Sequence, residues 1–197
     1  MSIVLQGSTS GSCTLQEQAI AGTTVLTLPT TSGTILTTGS SGQSIPKAAL
    51  PTGSVLQVVY AQTTTRTVGS STSYVDISGL TASITPSSSS SKILVLINYS
   101  LGTGSSTGAE SPCSVNLVRG STQVYEITRA IDLRASTSGV GESNVYFSGG
   151  FTYLDSPATT SSTTYKCQVK QNASFGRSYD VSAGSSPSSI TLLEIAA

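Results

Sequence analysis

Lys92-Ile93-Leu94-Val95-Leu96-Ile97-Asn98-Tyr99-Ser100-Leu101 is the longest apolar run in the sequence. It is rich in β-branched residues, contains no Gly or Pro, and lies between segments rich in Ser and Gly. These properties favour a strand over a helix. Because the run is apolar at consecutive positions, both faces of the strand are expected to be covered. We therefore expect it to be the central strand of the main domain.

The composition indicates an all-β protein. Of the 197 residues, 37% are hydrophobic and only 9% are charged, with nine Lys and Arg balancing nine Asp and Glu. Abundant Ser, Thr and Gly, without a 3.6-residue apolar stripe, are typical of short strands joined by turns. The balanced charge gives no argument for a nucleic-acid or membrane partner. Since residues 1–7 do not resemble an export signal, we expect synthesis in a cytoplasm.

The residue types argue against an enzyme. The sequence contains no histidine, the commonest general base and the commonest metal ligand. Cys13, Cys113 and Cys167 lack the C-x-x-C spacing of a zinc site and are expected to be buried residues with free thiols. A Cys113–Cys167 disulfide is the alternative, since both cysteines are expected to face the same core. We predict no catalytic residue, no cofactor and no metal.

Three further patterns have simpler structural interpretations. The glycine-rich segment 102–108 lacks the spacing of a dinucleotide loop and predicts a long exposed loop. The carboxylates are scattered, and a glycosidase pair among them would have to form in three dimensions: Glu110, Glu126, Asp132, Glu142, Asp155 and Asp180. Three basic residues in one region are expected to be solvated or to form inter-chain pairs: Arg119, Arg129 and Arg134.

Tyrosine is the dominant aromatic residue, with eight copies against three Phe and no Trp. Tyr146, Tyr153 and Tyr165 fall in predicted strands and are expected in the core. Tyr125 and Tyr179 are the candidates for exposed rings on which a sugar could stack, although a core position is the simpler expectation for them too.

The chain divides into two predicted parts. Residues 1–52 form a β-rich arm with short β-like segments at Ile3–Leu5, Thr23–Leu28 and Thr34–Thr37, and end in a flexible link. The arm carries too little apolar surface to fold alone, so we expect it to order against sister chains or a host surface. Residues 53–197 predict an antiparallel β-sandwich, jelly-roll-like, with eight to ten short strands.

The strand predictions for residues 53–197 come from apolar and alternating segments bounded by turn residues. Tyr165, Cys167 and Val169 alternate with polar residues and predict a half-buried strand. A hairpin turn is predicted at Arg119-Gly120 after Val115 and Leu117, a turn at Ser78-Gly79, and a bend or bulge at Gly149-Gly150. The other predicted strands are Val55–Tyr60, Tyr74–Ile77, Leu80–Ile84, Gln123–Thr128, Asn144–Leu154 and Ile190–Ile195.

The arm resembles structural proteins of tailed bacteriophages, cyanophages and marine phages especially. Its motifs occur in the order Leu5-Gln6-Gly7-Ser8-Thr9-Ser10-Gly11, Ala21-Gly22-Thr23-Thr24-Val25-Leu26-Thr27-Leu28-Pro29 and Ser32-Gly33-Thr34-Ile35-Leu36-Thr37-Thr38. The second part resembles a companion module of the same proteins at Leu50-Pro51-Thr52-Gly53-Ser54-Val55-Leu56-Gln57, Tyr153-Leu154-Asp155-Ser156-Pro157-Ala158-Thr159-Thr160 and Ser189-Ile190-Thr191-Leu192-Leu193-Glu194-Ile195.

The resemblance implies a virion protein, most often a homotrimer, with an attaching arm at 1–52 and a projecting knob at 53–197. Within that class we expect a capsid decoration or cement protein or a head fibre, bound to the major capsid protein or another virion protein through the arm. The alternatives are a receptor-binding tail fibre that recognises host surface glycans through loops 102–112 and 134–143, and a carbohydrate-binding or hydrolytic module. The family has no catalytic residues to transfer.

Overall fold

The computed structural model describes residues 2–6, 12–16, 47, 50–105, 112–132, 143–172 and 178–197. Contacts divide the chain into two units, Met1–Ser44 and Ile45–Ala197. In the first unit, β1 (Ser2–Gln6) pairs with β2 (Ser12–Gln16) in an antiparallel hairpin. The predicted β-like segment Ile3–Leu5 lies within β1, whereas Thr23–Leu28 and Thr34–Thr37 lie outside the described residues.

The second unit is built from strands, as the composition predicts. Its described part also contains a 3-10 turn at Ala183–Ser185. The strands are β3 (Val55–Thr63), β4 (Thr67–Gly69), β5 (Val75–Ile84), β6 (Lys92–Ser105), β7 (Cys113–Arg119), β8 (Thr122–Ile131), β9 (Ser143–Asp155), β10 (Thr163–Gln171), β11 (Tyr179–Val181) and β12 (Ser188–Ile195).

The long strand pairs are nested like the two arms of one folded hairpin. At the tip, β7 pairs with β8 across a turn in which Gly120 has a φ of 59°. Moving outward along the chain, β6 pairs with β9, β5 with β10, and β3 with β12, all antiparallel. This rolled hairpin is the jelly-roll arrangement that the sequence predicts.

The rolled hairpin forms two sheets. Sheet I has the order β3-β12-β6, and β9 pairs with the other edge of β6. Beyond the end of β12, the short strand β11 pairs with the same edge of β6, and β4 pairs with β11. Sheet II has the order β5-β10-β7-β8. The predicted central strand is β6, which is hydrogen-bonded along both edges and confirms that prediction.

The core lies between the two sheets. Sheet I contributes the alternate residues Ile93, Val95, Ile97, Tyr99 and Leu101 of β6, all buried. Sheet II contributes Ile77 and Leu80 of β5, Val115 and Leu117 of β7, and Tyr165, Cys167 and Val169 of β10. The alternation predicted for β10 is confirmed.

Two predicted interruptions are continuous strand. The turn expected at Ser78-Gly79 is a bulge inside β5, where Gly79 has a φ of 75° and the register with β10 shifts. The bend expected at Gly149-Gly150 is absent, because β9 keeps one register with β6 throughout. Glycine is required at 150 by space rather than by a bend. A Cβ there would lie 2.4 Å from the carbonyl oxygen of Ile97.

Candidate interaction surface

The outer face of sheet II carries a closed network of polar side chains. Lys166 pairs with Asp76 at 2.8 Å, and Lys170 lies 3.5 Å from Glu126 and 4.3 Å from the ring centre of Tyr74. The Tyr74 hydroxyl donates a 2.5 Å hydrogen bond to Glu126 and lowers the pKa of that carboxyl, while Lys166 lowers the pKa of Asp76. These charges are paired where they stand, so this face is suited to contact with water.

The outer face of sheet I is different, because apolar side chains form a stripe across four strands. The register places Val58, Leu193, Leu94 and Leu154 side by side on β3, β12, β6 and β9. We call these four residues the apolar stripe. The side chains of Val58 and Leu154 are 58% and 50% exposed, and those of Leu94 and Leu193 are half-buried.

Two further rows continue the apolar stripe along the strands without a charged residue. The first row contains Tyr60, Thr191, Leu96 and Thr152, and the second contains Gln62, Ser189, Asn98 and Gly150. Tyr60 is 59% exposed, and its hydroxyl donates a 2.8 Å hydrogen bond to Gln62. With the apolar stripe, these rows give twelve adjacent positions that lack any charge.

Beyond the uncharged rows, one end of the same face carries a neutralised ion pair. Arg66 donates two 2.8 Å hydrogen bonds to Asp180, and these bonds raise the pKa of the Arg66 guanidinium. On the neighbouring strands β6 and β9, the exposed ring of Tyr146 lies over Gly102, and a Cβ added to Gly102 would lie 2.3 Å from that ring. Of the nine exposed large apolar side chains in the described chain, five belong to this outer face: Val58, Tyr60, Val68, Tyr146 and Leu154.

The side of the sandwich between the edge strands β8 and β9 is closed by aromatic rings. Tyr125 stacks on Phe151 with ring centres 5.0 Å apart and lies 5.5 Å from Tyr153. Tyr99 packs edge-on against Phe147 at 6.1 Å. Tyr125 is 37% exposed, so one ring of this cluster reaches the surface.

Two buried carboxylates hold the interior together. Asp155 of β9 accepts hydrogen bonds from the hydroxyl of Tyr165 at 2.6 Å and from Arg119 at 2.9 Å. Glu194 of β12 accepts hydrogen bonds from the amide and hydroxyl of Ser87 and from Gln57, all at 2.6 Å. Burial alone would raise the pKa of Glu194, but the hydrogen bonds from Ser87 and Gln57 outweigh it and lower the pKa.

Of the three tyrosines expected in the core, Tyr165 is fully buried and Tyr153 packs against the core. A core position was also the simpler expectation for Tyr125 and Tyr179. Tyr179 agrees with it, because it points inward beside Thr103 and is only 2% exposed, so it offers no ring for a sugar, whereas Tyr125 is 37% exposed. Tyr146 was expected in the core but projects from the outer face of sheet I.

The predicted charged residues do not gather into one site among the described residues. Arg119 is not a solvated charge, because it binds the buried Asp155, whereas Arg129 pairs with Asp132 at 2.9 Å on the surface. Glu126, Asp155 and Asp180 each bind a different basic residue. Arg134, Glu110 and Glu142 lie outside the described residues.

The two described cysteines are buried and free. Cys167 lies opposite Leu117 on β7, whereas Cys113 lies opposite Gln171 on β10. The two are therefore offset by four residues, about 13 Å along the strands. A disulfide requires Cα atoms within about 7 Å, so the alternative of a Cys113–Cys167 bond is wrong for this fold.

The glycine-rich segment 102–108 does not begin as a loop. Residues 102–105 belong to β6, and residues 106–111 lie outside the described residues, as do residues 133–142. Within the described part of the chain, no group of three or more Asp, Glu and Cys residues is placed to hold a metal ion. No helix there is long and apolar enough to cross a membrane.

Sequence reasoning missed the apolar stripe, although a signal was present. β6 is apolar at consecutive positions, which we interpreted as burial of both faces of that strand. Within the described residues only the inner face of β6 is covered, and Leu94 and Leu96 on its outer face are half-buried.

Comparison with known proteins gives limited similarity. No protein-family model and no curated protein matches the chain. Among solved structures, it is similar to infectious bursal disease virus, Gx strain (16% identity, TM-score 0.35), and to the VP2 subviral particle of that virus (15% identity, TM-score 0.35). Each likeness covers 80% of this chain and 42% of the other, so the chain spans less than half of those structures.

A further likeness is to dimeric latent PorU from Porphyromonas gingivalis, at 8% identity and a TM-score of 0.31, over 75% of this chain and 14% of that one. At identities and TM-scores this low, none of these likenesses carries an argument about what the chain does. The functional argument rests on its own residues.

Proposed function

We propose that this chain is a structural protein of a virion, namely a capsid decoration protein or head fibre of a tailed phage. Residues 1–52 attach it to the major capsid protein or another virion protein, and residues 53–197 project as a knob. The observation that carries the proposal is the uncharged outer face of sheet I with its apolar stripe. Such a surface suits coverage by another protein better than binding of a small substrate.

Two sequence features support the choice of a virion. The order of the motifs in the arm and in the second part resembles structural proteins of tailed phages, and this order extends over nearly the whole chain. The jelly roll is used by viral capsid proteins and also by lectins, so the fold agrees with the proposal by analogy.

The proposed mechanism is mechanical and involves no chemistry. Three chains associate, and strands of the arms pair with each other and with the capsid, where backbone hydrogen bonds supply affinity without a core of their own. The paired strands β1 and β2 (Ser2–Gln6 and Ser12–Gln16) belong to that arm. Arms that bind neighbouring capsid subunits add interface area and help the capsid to resist internal pressure. The knobs project outward from the capsid surface.

The proposal is tested by locating the protein in virions. A reconstruction of the virion is expected to show trimeric density on the capsid, and density at the tail would contradict head decoration. In a second experiment, a chain lacking residues 2–38 is mixed with purified capsids and is expected not to bind. Circular dichroism of the truncated chain is the control that the knob remains folded, and binding equal to that of the full chain would remove the arm as the anchor.

A receptor-binding tail fibre is the second candidate, and the ring of Tyr125 favours it. An exposed tyrosine held against Phe151 offers a rigid edge to a sugar ring. A glycan array is expected to detect binding that is lost in Tyr125→Ala but kept in Tyr60→Ala, whose ring is exposed elsewhere on the knob. Absence of any glycan signal from the full chain contradicts this candidate.

A further inference from the structure

We propose that the outer face of sheet I is the surface through which copies of this chain pack against one another. The inference names the contact surface of the proposed homo-oligomer and rests on that part of the proposed function. Its starting point is the apolar stripe, in which Val58 and Leu154 expose half or more of their side chains at opposite edges of the sheet.

The size of the face fits a contact between proteins. Four strands about 4.8 Å apart and three rows about 6.7 Å apart give the uncharged positions a footprint of about 400 Å². That is about half of the roughly 800 Å² that each partner buries in a standard interface. Rows that flank it supply further area on the same face, with Tyr146 and Val68 at one end and Ile195 at the other. The exposed Lys92, which pairs with Ile195, brings a charge to that second end, so the uncharged area stops at the apolar stripe.

The charge pattern identifies the occupant as a second copy. An apolar, uncharged face loses least when its partner is also uncharged, because no charge is then taken out of water without a counter-ion. The outer face of sheet II does not meet this condition, since Lys166, Lys170, Asp76 and Glu126 would all be desolvated. Of the two broad faces of the sandwich, the outer face of sheet I is therefore the one suited to contact with neighbouring copies, three of which can turn it toward a common axis.

Packing of this face against neighbouring copies also explains the apolar sequence of the central strand. Both alternating sets of residues in β6 are apolar: Ile93, Val95 and Ile97 face the core, and Leu94 and Leu96 face outward. A strand between the core and water needs apolar residues on one side only. A neighbouring copy would cover the second side.

The test is the molar mass of the full chain in solution, measured by light scattering after size-exclusion chromatography. The wild-type chain is expected to be oligomeric, and the double variant Val58→Lys and Leu154→Lys is expected to associate at least about 100-fold more weakly, because like charges would then oppose each other across the contact. The matched control is Val75→Lys, an exposed valine on the edge strand β5 of sheet II, which is expected to keep the wild-type mass.

A monomeric wild-type chain would overturn the inference, as would a double variant of unchanged mass or a Val75→Lys variant that dissociates equally. Should the double variant lose its circular dichroism spectrum, Tyr60→Lys replaces it, since that side chain is mostly in solvent. The measurement uses purified protein, so its failure leaves the location in the virion to be decided by reconstruction. An oligomer that dissociates as expected but is absent from virions would remove the proposed function alone.

Discussion

The hydroxyl of Tyr165 donates a 2.6 Å hydrogen bond to the carboxylate of Asp155, and this bond joins sheet II to sheet I through the interior. Arg119, which lies opposite Tyr165 in the register of sheet II, contacts both oxygens of the same carboxylate at 2.9 Å. Burial, followed by the hydrogen bond to Asp155, raises the pKa of Tyr165. The tyrosine therefore stays a donor across the ordinary pH range.

We expect Tyr165→Phe to lower the free energy of unfolding by about 1–3 kcal/mol, because the buried carboxylate loses one donor while its charge remains. Urea unfolding followed by circular dichroism measures the change. Tyr60→Phe is the control, since it removes only an exposed hydrogen bond and is expected to change stability by less than about 0.5 kcal/mol. Equal effects in the two variants would contradict a structural role for the Asp155 bond.

We expect the stability contributed by Glu194 to depend on pH. Its pKa in the folded chain is lowered below that of the unfolded chain, so its contribution is complete above the unfolded pKa of about 4.3 and is lost as the pH falls through the folded pKa. Glu194→Gln is expected to be less stable than the wild type at pH 7, with a difference that shrinks on acidification. Unfolding at a series of pH values measures it.

The control for Glu194→Gln is Glu126→Gln, because the carboxyl of Glu126 lies on the surface of sheet II. Its pKa is also lowered, first by the Tyr74 hydroxyl, but water screens the interaction. We therefore expect Glu126→Gln to lower the free energy of unfolding at pH 7 by less than Glu194→Gln does. A Glu194→Gln variant whose deficit stays constant down to pH 3 would show that packing, and not ionisation, accounts for the effect.

We expect Gly150→Ala to destabilise the knob by more than about 2 kcal/mol, because its Cβ would overlap the backbone of Ile97 and β9 would have to move away from β6. The control is Gly184→Asn, at a position with a φ of 60° and no atom within 4 Å of an added Cβ. Asparagine tolerates that conformation, so a change of less than about 1 kcal/mol is expected. Thermal unfolding of both variants decides between them, and a stable Gly150→Ala variant would contradict the close approach of the strands.

We expect Cys113 and Cys167 to be unreactive in the folded chain. Burial raises the pKa of both thiols, that of Cys113 to about 11, so little thiolate forms at neutral pH. A Cys13→Ser variant, which leaves only these two thiols, is expected to react with a disulfide reagent in guanidinium but not in buffer. Rapid labelling in buffer, or an intact mass lower by the two hydrogen atoms lost when a disulfide forms, would contradict the structure.

The fold was predictable where one property of the residues dominated. The apolar run at 92–101 predicted the central strand, and the alternation at Tyr165, Cys167 and Val169 predicted a half-buried one, because both signals are local. The roles of Gly79 and Gly150 were misinterpreted, because the sequence does not distinguish a glycine that permits a bulge or a close approach of strands from one that forms a turn.

The surfaces were less predictable than the strands. The inward position of Tyr179 depends on the register of the short strand β11 against Thr103, and a shift of one residue would turn it outward. The bond between Asp155 and Arg119 joins β9 to β7, and nothing in the sequence near either residue indicates the other. The apolar stripe was visible as consecutive apolar residues, but whether they are covered depends on other chains.

The nested order of strand pairs has a consequence for folding during translation. β12 lies between β3 and β6 in sheet I, yet residues 188–195 are translated more than 120 residues after β3. Until they emerge, β3 and β6 have no shared neighbour, and the nascent chain carries open strand edges and the apolar faces of a half-built sandwich. Pairings this distant in sequence form slowly. Growing chains on one polysome therefore hold unpaired edges near one another, where β1–β2, complete by residue 16, is the element able to form first.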